Sequence, residues 1–174
     1  MRFGAGPLTL LLAGAPALLQ PLSEAELARR AERILVGRVV AVAGHWNADR
    51  SRIFTRVELK VERALKGAAT ATAALEILGG TVGTLTSEVG AAPRFTVGEE
   101  VLVFTQSLEE AGWRYETVLG WAQGKFRLVA GDGSTPVRLE RDFTAVAFSG
   151  DQIPPAIISL DQLERSIRAE LQAP

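Results

Sequence analysis

From Ile53 to Glu62 the chain reads IFTRVELKVE, with Ile53, Val57, Leu59 and Val61 alternating with Arg56, Glu58, Lys60 and Glu62. A period of two fits a strand with one buried face and one wet face, because successive strand side chains point to opposite sides. Just before it, Ile34, Leu35, Val36, Val39, Val40 and Val42 are too densely apolar for a strand with a wet face, which predicts a partner covered on both sides. Residues 34–67 therefore read as two long strands joined by a polar turn, Gly44 to Ser51, and closed by Lys66-Gly67. Trp46, in that turn, is placed to shield one end of the sheet.

The remaining chain supplies further strands. Leu75, Ile77 and Leu78 make a short one ended by Gly79-Gly80, VLVFTQSL from Val101 makes a dense one, and residues 113–129 make two, broken at Gly120 to Gly124. Gly79, Gly80, Gly83 and Gly90 fall among β-formers, where glycine marks a bulge or a sharp bend, and predict the corner of a barrel. Five or six strands spaced by turns give an all-β class, a small antiparallel OB-like barrel. An extra hairpin is expected from Val137 to Phe148, after a Gly-Asp-Gly turn at 131–133. Two helices flank the strands: a short N-terminal one, where Ser23 and Glu26 form a capping box and Leu27, Ala28, Ala31 and Ile34 recur at helical spacing, and a C-terminal amphipathic one at about 159–172, capped by Ser159 with Gln162.

Residues 1–17 begin with Arg2, run through an apolar stretch from Pro7 to about Leu12 and end on small residues, Ala15-Pro16-Ala17. That layout predicts a signal peptide cleaved before Leu18, the other reading being a retained N-terminal anchor. The apolar run is shorter than the ~20 residues of a bilayer-spanning helix. Residues 18–174 are then one exported domain, periplasmic or extracellular, with no stable membrane span after the signal is removed. The charges, 19 basic against 20 acidic, nearly cancel, and losing Arg2 with the signal leaves 18 against 20. No field of that size recruits nucleic acid. There is no cysteine, hence no disulfide, thiolate nucleophile or sulfur-ligated zinc.

Reactive constellations are sparse. His45 is the single histidine, so two-histidine metal sites and histidine triads are ruled out by count, and in a turn it reads as structural or solvated. Glu99-Glu100 and Glu109-Glu110 read as solvated turn charge. An enzyme built on Asp49, Glu88 or Glu100 requires two of them in one pocket, about 5–10 Å apart. The glycines of GGTVG and GWAQG precede no helix and imply no phosphate site and no cofactor. Trp46, Trp113, Tyr115, Trp121 and Lys125 form the candidate binding surface, the other reading of the aromatic residues being core and rim of the same sheet. Lys125 and Arg127, alternating with Phe126 and Leu128, read as the wet face of their strand.

The run PLSEAELARRAERILVGRVVAV, the strand RIFTRVELKVERALKG, the segments LGGTVGTL, PRFTVGEEVLVF and GWAQGKFRLV, and the helix ISLDQLERSIRAEL together resemble a group of uncharacterised bacterial exported proteins, over residues 21–172. The same order is similar to the N-terminal domain of the tissue inhibitors of metalloproteinases and to netrin-like modules. In the matching places stand Leu65-Lys66-Gly67 and Gly120 to Lys125. This resemblance implies a five-stranded OB-type barrel and a protease as partner. Those inhibitors chelate the protease zinc through an N-terminal cysteine held by disulfides, whereas this chain offers Leu18 and no cysteine, so that mechanism is not carried over. The functional expectation is an exported, non-enzymatic binding module whose partner is another exported protein, the alternative being a secreted metalloprotease inhibitor-like or protease-accessory protein.

Overall fold

The computed structural model describes residues 16–131 and 137–172. The predicted signal peptide lies outside the described residues except for Pro16 and Ala17, and so does most of the predicted turn at 131–133.

The paired long strands are β2 (Arg33–Trp46) and β3 (Ile53–Lys66), preceded by β1 (Ala17–Leu19) and helix α1 (Glu24–Arg30). Then follow β4 (Thr72–Leu78), β5 (Gly80–Val82), β6 (Leu85–Ser87), β7 (Glu100–Glu110), β8 (Trp113–Val118), β9 (Lys125–Val129), β10 (Arg138–Glu140), β11 (Val146–Phe148), β12 (Ile157–Ser159) and helix α2 (Leu160–Leu171). The main sheet runs β12-β10-β9-β7-β2-β3-β4, with β8 also paired to β7. Every pairing in it is antiparallel. Three strands in a meander and a fourth returning beside the first is the Greek-key order 4-1-2-3, here β7-β2-β3-β4.

Both faces of this sheet carry core, as the dense apolar run of β2 predicts. On one face α1 and α2 bury Leu27, Leu163 and Ile167 against Ile34, Val36, Phe104 and Phe126. On the other, Leu35, Val39, Val57, Leu59, Leu75 and Val103 pack together. Fully burying one such side chain stabilises by about 1.5–3 kcal/mol. Val40 departs from the pattern: the register of β2 on β3 shifts between Val39 and Ala41, and the bulge leaves Val40 46% exposed. Helix α1 also stops earlier than its periodicity suggests. It ends at Arg30, and Ile34 belongs to β2, where it pairs with Lys66 and Phe104.

No closed barrel forms among the described residues. β8 comes alongside β4, but each is hydrogen-bonded only to its other neighbour, β7 and β3 respectively. The predicted barrel corner turns the chain out of the sheet instead. Gly79 and Gly80 have φ of 96° and 133°, a Cβ on Gly80 would stand 2.2 Å from Thr55 Oγ1, and the chain leaves as the separate hairpin β5-β6. The predicted hairpin at 137–148 is likewise replaced: β10 pairs with β9 and β12, while β11 pairs in parallel with β1. Strand β1 begins at Ala17, so it straddles the predicted cleavage point.

Candidate functional site

The seam between β4 and β8 is filled by side chains rather than by a backbone ladder. Trp113 and Tyr115, two apart on β8, share a face, with ring centroids 4.5 Å apart. Phe54 of β3 meets both edge-on, at 5.0 and 5.6 Å, and is 2% exposed. His45, at the end of β2, lies 6.3 Å from Phe54 and 6.3 Å from Trp113. Edge-to-face pairs of this kind contribute roughly 0.5–1.5 kcal/mol each beyond their buried area.

Beside this cluster opens a cleft of about 210 Å³, walled by Phe54, Ile77, Leu108, Tyr115 and Trp121, with Gln106, Thr117 and Glu76 as polar groups. Gln106 and Thr117 are directly opposed in the β7-β8 register. Trp121 is 41% exposed and has φ of 59°, directly after Gly120 at 68°. Gly120 adopts this region freely, but a left-handed tryptophan directly after it is costly in backbone terms. The turn is held by the buried side chain of Gln123. Its Oε1 accepts from the Leu22 N–H at 2.7 Å, and its Nε2 donates to the carbonyls of Gln20 at 3.0 Å and Gly120 at 3.4 Å. The Ala122 N–H donates to the Ala91 carbonyl. These bonds fix the short 3-10 turn at 121–124 between β8 and β9, and with it the direction in which the chain presents the indole.

At the edge of the cleft Glu76 is 5% exposed. Its Oε2 is 2.7 Å from His45 Nε2, and its Oε1 accepts from Arg56 Nη1 at 2.9 Å. His45 Nδ1 is 3.0 Å from the Trp46 carbonyl oxygen. Partial burial disfavours the imidazolium, but the bonds to Glu76 and to the Trp46 carbonyl, together with the carboxylate charge, outweigh it against the opposing Arg56 and raise the His45 pKa above 6.5. Of the two readings of His45, the structural one holds: the ring is engaged at both nitrogens, although its side chain is still 36% exposed. Sequence reading passed over Glu76 and Gln123, although a lone acid inside the apolar run LEIL is a signal that something must pair with it.

Of the predicted surface, then, Trp113, Tyr115 and Trp121 come together at the seam, and the other two residues do not. Trp46 lies half-buried at the end of β2 and makes no ring pair among the described residues. Lys125 is not on a wet face: it is 8% exposed, paired to Glu99, donating to the Arg94 carbonyl at 2.9 Å and lying 5.0 Å from the Phe95 ring centroid. The alternation in β9 is real, and Arg127 on the same face is exposed as expected, but the segment 94–99 folds over Lys125 and supplies its counter-charge. Glu99 accordingly is not a solvated turn charge.

Lys125 borders a second, polar groove of about 690 Å³, also lined by Arg38, Glu100, Arg127, Glu140 and Asp142. Its acids are engaged: Glu100 with Arg38, Glu140 with Arg127, and Asp142 by the hydroxyl and N–H of Thr144, which hold its carboxyl below 3.8 against a burial penalty. Asp49, Glu88 and Glu100 do not meet in one pocket. Glu88 lines a different groove from Glu100, and Asp49 accepts from the Ser51 hydroxyl and N–H in the β2-β3 turn. Among the described residues no group of three or more acids and histidines is arranged to hold a metal ion, and no helix is long and apolar enough to cross a membrane. Comparison with family models, curated proteins and solved structures gives no match.

Proposed function

We propose that this chain is an exported, non-enzymatic binding module that takes an apolar or aromatic side chain of a partner polypeptide into the seam cleft beside Trp121. The observation that carries the reading is the half-exposed indole of Trp121 on a left-handed backbone, next to Tyr115 and over an opening sized for one such group. Strained residues persist where the surroundings over-determine them, and they cluster at binding sites. The polar pair Gln106 and Thr117 supplies orienting hydrogen bonds at the cleft wall. Export rests on the leader pattern of residues 1–17. The Greek-key order with β8 lying next to β4 supports an OB-like module open along one seam.

The reading is tested by titrating the ¹⁵N-labelled protein with N-acetyl-phenylalaninamide at millimolar concentration. Shifts concentrated at Tyr115, Thr117 and Trp121, and lost in Trp121→Gly, support it; their absence overturns it. Turnover of esterase or peptidase substrates by the purified protein would refute its non-enzymatic part. Dose-dependent loss of activity in exported metalloproteases would favour the inhibitor-like alternative.

A further inference from the structure

Resting on the cleft reading above, we infer that His45, Glu76 and Arg56 form a proton-operated clasp that holds one wall of the cleft, closed when the imidazole is protonated and released when it is neutral.

Both ring nitrogens of His45 face acceptors, and this carries the inference. His45 Nδ1 faces the Trp46 carbonyl oxygen at 3.0 Å, and Nε2 faces Glu76 Oε2 at 2.7 Å. A carbonyl oxygen and a carboxylate only accept, and a neutral imidazole has one N–H to give. Only the imidazolium satisfies both contacts. Glu76 is bound on its other oxygen by Arg56, so the three side chains form one chain of bonds from β2 through β4 to β3. The imidazole ring also packs on Phe54 and against the edge of Trp113, which in turn lies on Tyr115, a wall of the cleft. Because β4 and β8 share no ladder, side-chain contacts such as these are what join the tip of the β2-β3 hairpin to β8.

The surrounding charges leave His45 as the group that switches near neutral pH. From β3 come Arg56 and, behind it, Glu58; from β4 Glu76; and near Tyr115 stands the ion pair of Arg52 with Glu110. Burial, then the Glu110 charge, push the Tyr115 phenol above 10, so it stays neutral there. The sign follows from the raised folded-state pKa of His45. Its contribution is complete below 6.5 and is lost as pH rises through the folded value.

His45 is the chain's single histidine, so its ring protons give one unambiguous NMR titration. On the full protein the midpoint is expected above the ordinary value, and lower in Glu76→Gln. Through that midpoint, the protection of the β8 amides against hydrogen exchange, corrected for the intrinsic effect of pH, falls in the wild type and stays flat in His45→Gln. A midpoint at or below the ordinary value, or β8 protection that ignores the titration, overturns the clasp. Neither readout requires a ligand, so a failed N-acetyl-phenylalaninamide titration would sink the binding reading while the clasp stood or fell by its own result.

Discussion

The guanidinium carbon of Arg141 lies 4.6 Å from the ring centroid of Phe126, with the ring of Phe143 at 5.2 Å. The side chain is fully buried, its Nε donates to the Pro155 carbonyl at 3.0 Å, and its Nη2 reaches Glu24 of α1 at 3.0 Å. Burial lowers its pKa and Glu24 opposes that fall. One planar cation therefore ties the first helix, β9 and the segment leading to β12 together. Arg141→Ala should cost about 2–4 kcal/mol in urea unfolding, from lost charged hydrogen bonds and stacking. Arg141→Lys should recover only part of that, because an ammonium cannot stack and fork at once.

Lys125 and Glu99 form a second, nearly enclosed pair, each side chain 10% exposed. Removing one partner strands a charge where little water reaches it, so Lys125→Met should destabilise by about 2–4 kcal/mol. The double variant Lys125→Met, Glu99→Leu should recover most of that loss, since a buried pair replaced by apolar groups of like volume is often neutral. A double-mutant cycle measures the coupling directly. Single and double variants of equal stability would show that water reaches the pair freely.

Lys125 also shows where sequence reading stops. Alternation in KFRLV correctly separates two faces of β9 and leaves Arg127 exposed, but it cannot say whether a loop from elsewhere covers part of a face, as residues 94–99 cover Lys125. The strand pair β2-β3, both helix caps and the break at 120–124 were legible because each is decided by neighbours in sequence. The open seam was not, since whether β4 and β8 form a ladder depends on how strands far apart in the chain are bent. Nor was the His45 to Glu76 contact, which joins residues 31 apart across β3. Trp113, Tyr115 and Trp121 were found by residue type alone, and only the fold shows which of the aromatic residues share a cleft.

Ser23 caps α1 in a reciprocal box: its hydroxyl accepts from the Glu26 N–H, and Glu26 accepts from the Ser23 N–H and hydroxyl. Ser23→Ala should lose about 1 kcal/mol near neutral pH. The Ser23 N–H, then its hydroxyl, hold the Glu26 carboxyl below 4.5. A depressed folded-state pKa gives a contribution that is complete above the ordinary value and lost as pH falls through the folded one. The gap between wild type and Ser23→Ala should therefore narrow in acid, which urea unfolding at neutral pH and at about pH 3 would reveal. A gap that widens in acid would mean that the box is not formed in solution.

Trp121 separates function from stability. Its left-handed backbone costs about 1–2 kcal/mol that glycine would not incur. Trp121→Gly relieves this strain while giving up the contacts of a side chain that is already 41% exposed, so the unfolding free energy should stay within about 1 kcal/mol of wild type. Trp121→Ala keeps the strain, loses the same contacts and should be the less stable of the two. Gly120→Ala tests the same turn from its other residue. At φ of 68°, a Cβ there would come 2.8 Å from Leu22 Cδ1, so a loss of about 1–2 kcal/mol is expected. If Trp121→Gly instead lost several kcal/mol, the indole would be a packing residue. A variant as stable as wild type that no longer binds N-acetyl-phenylalaninamide is what a side chain held out for a ligand predicts.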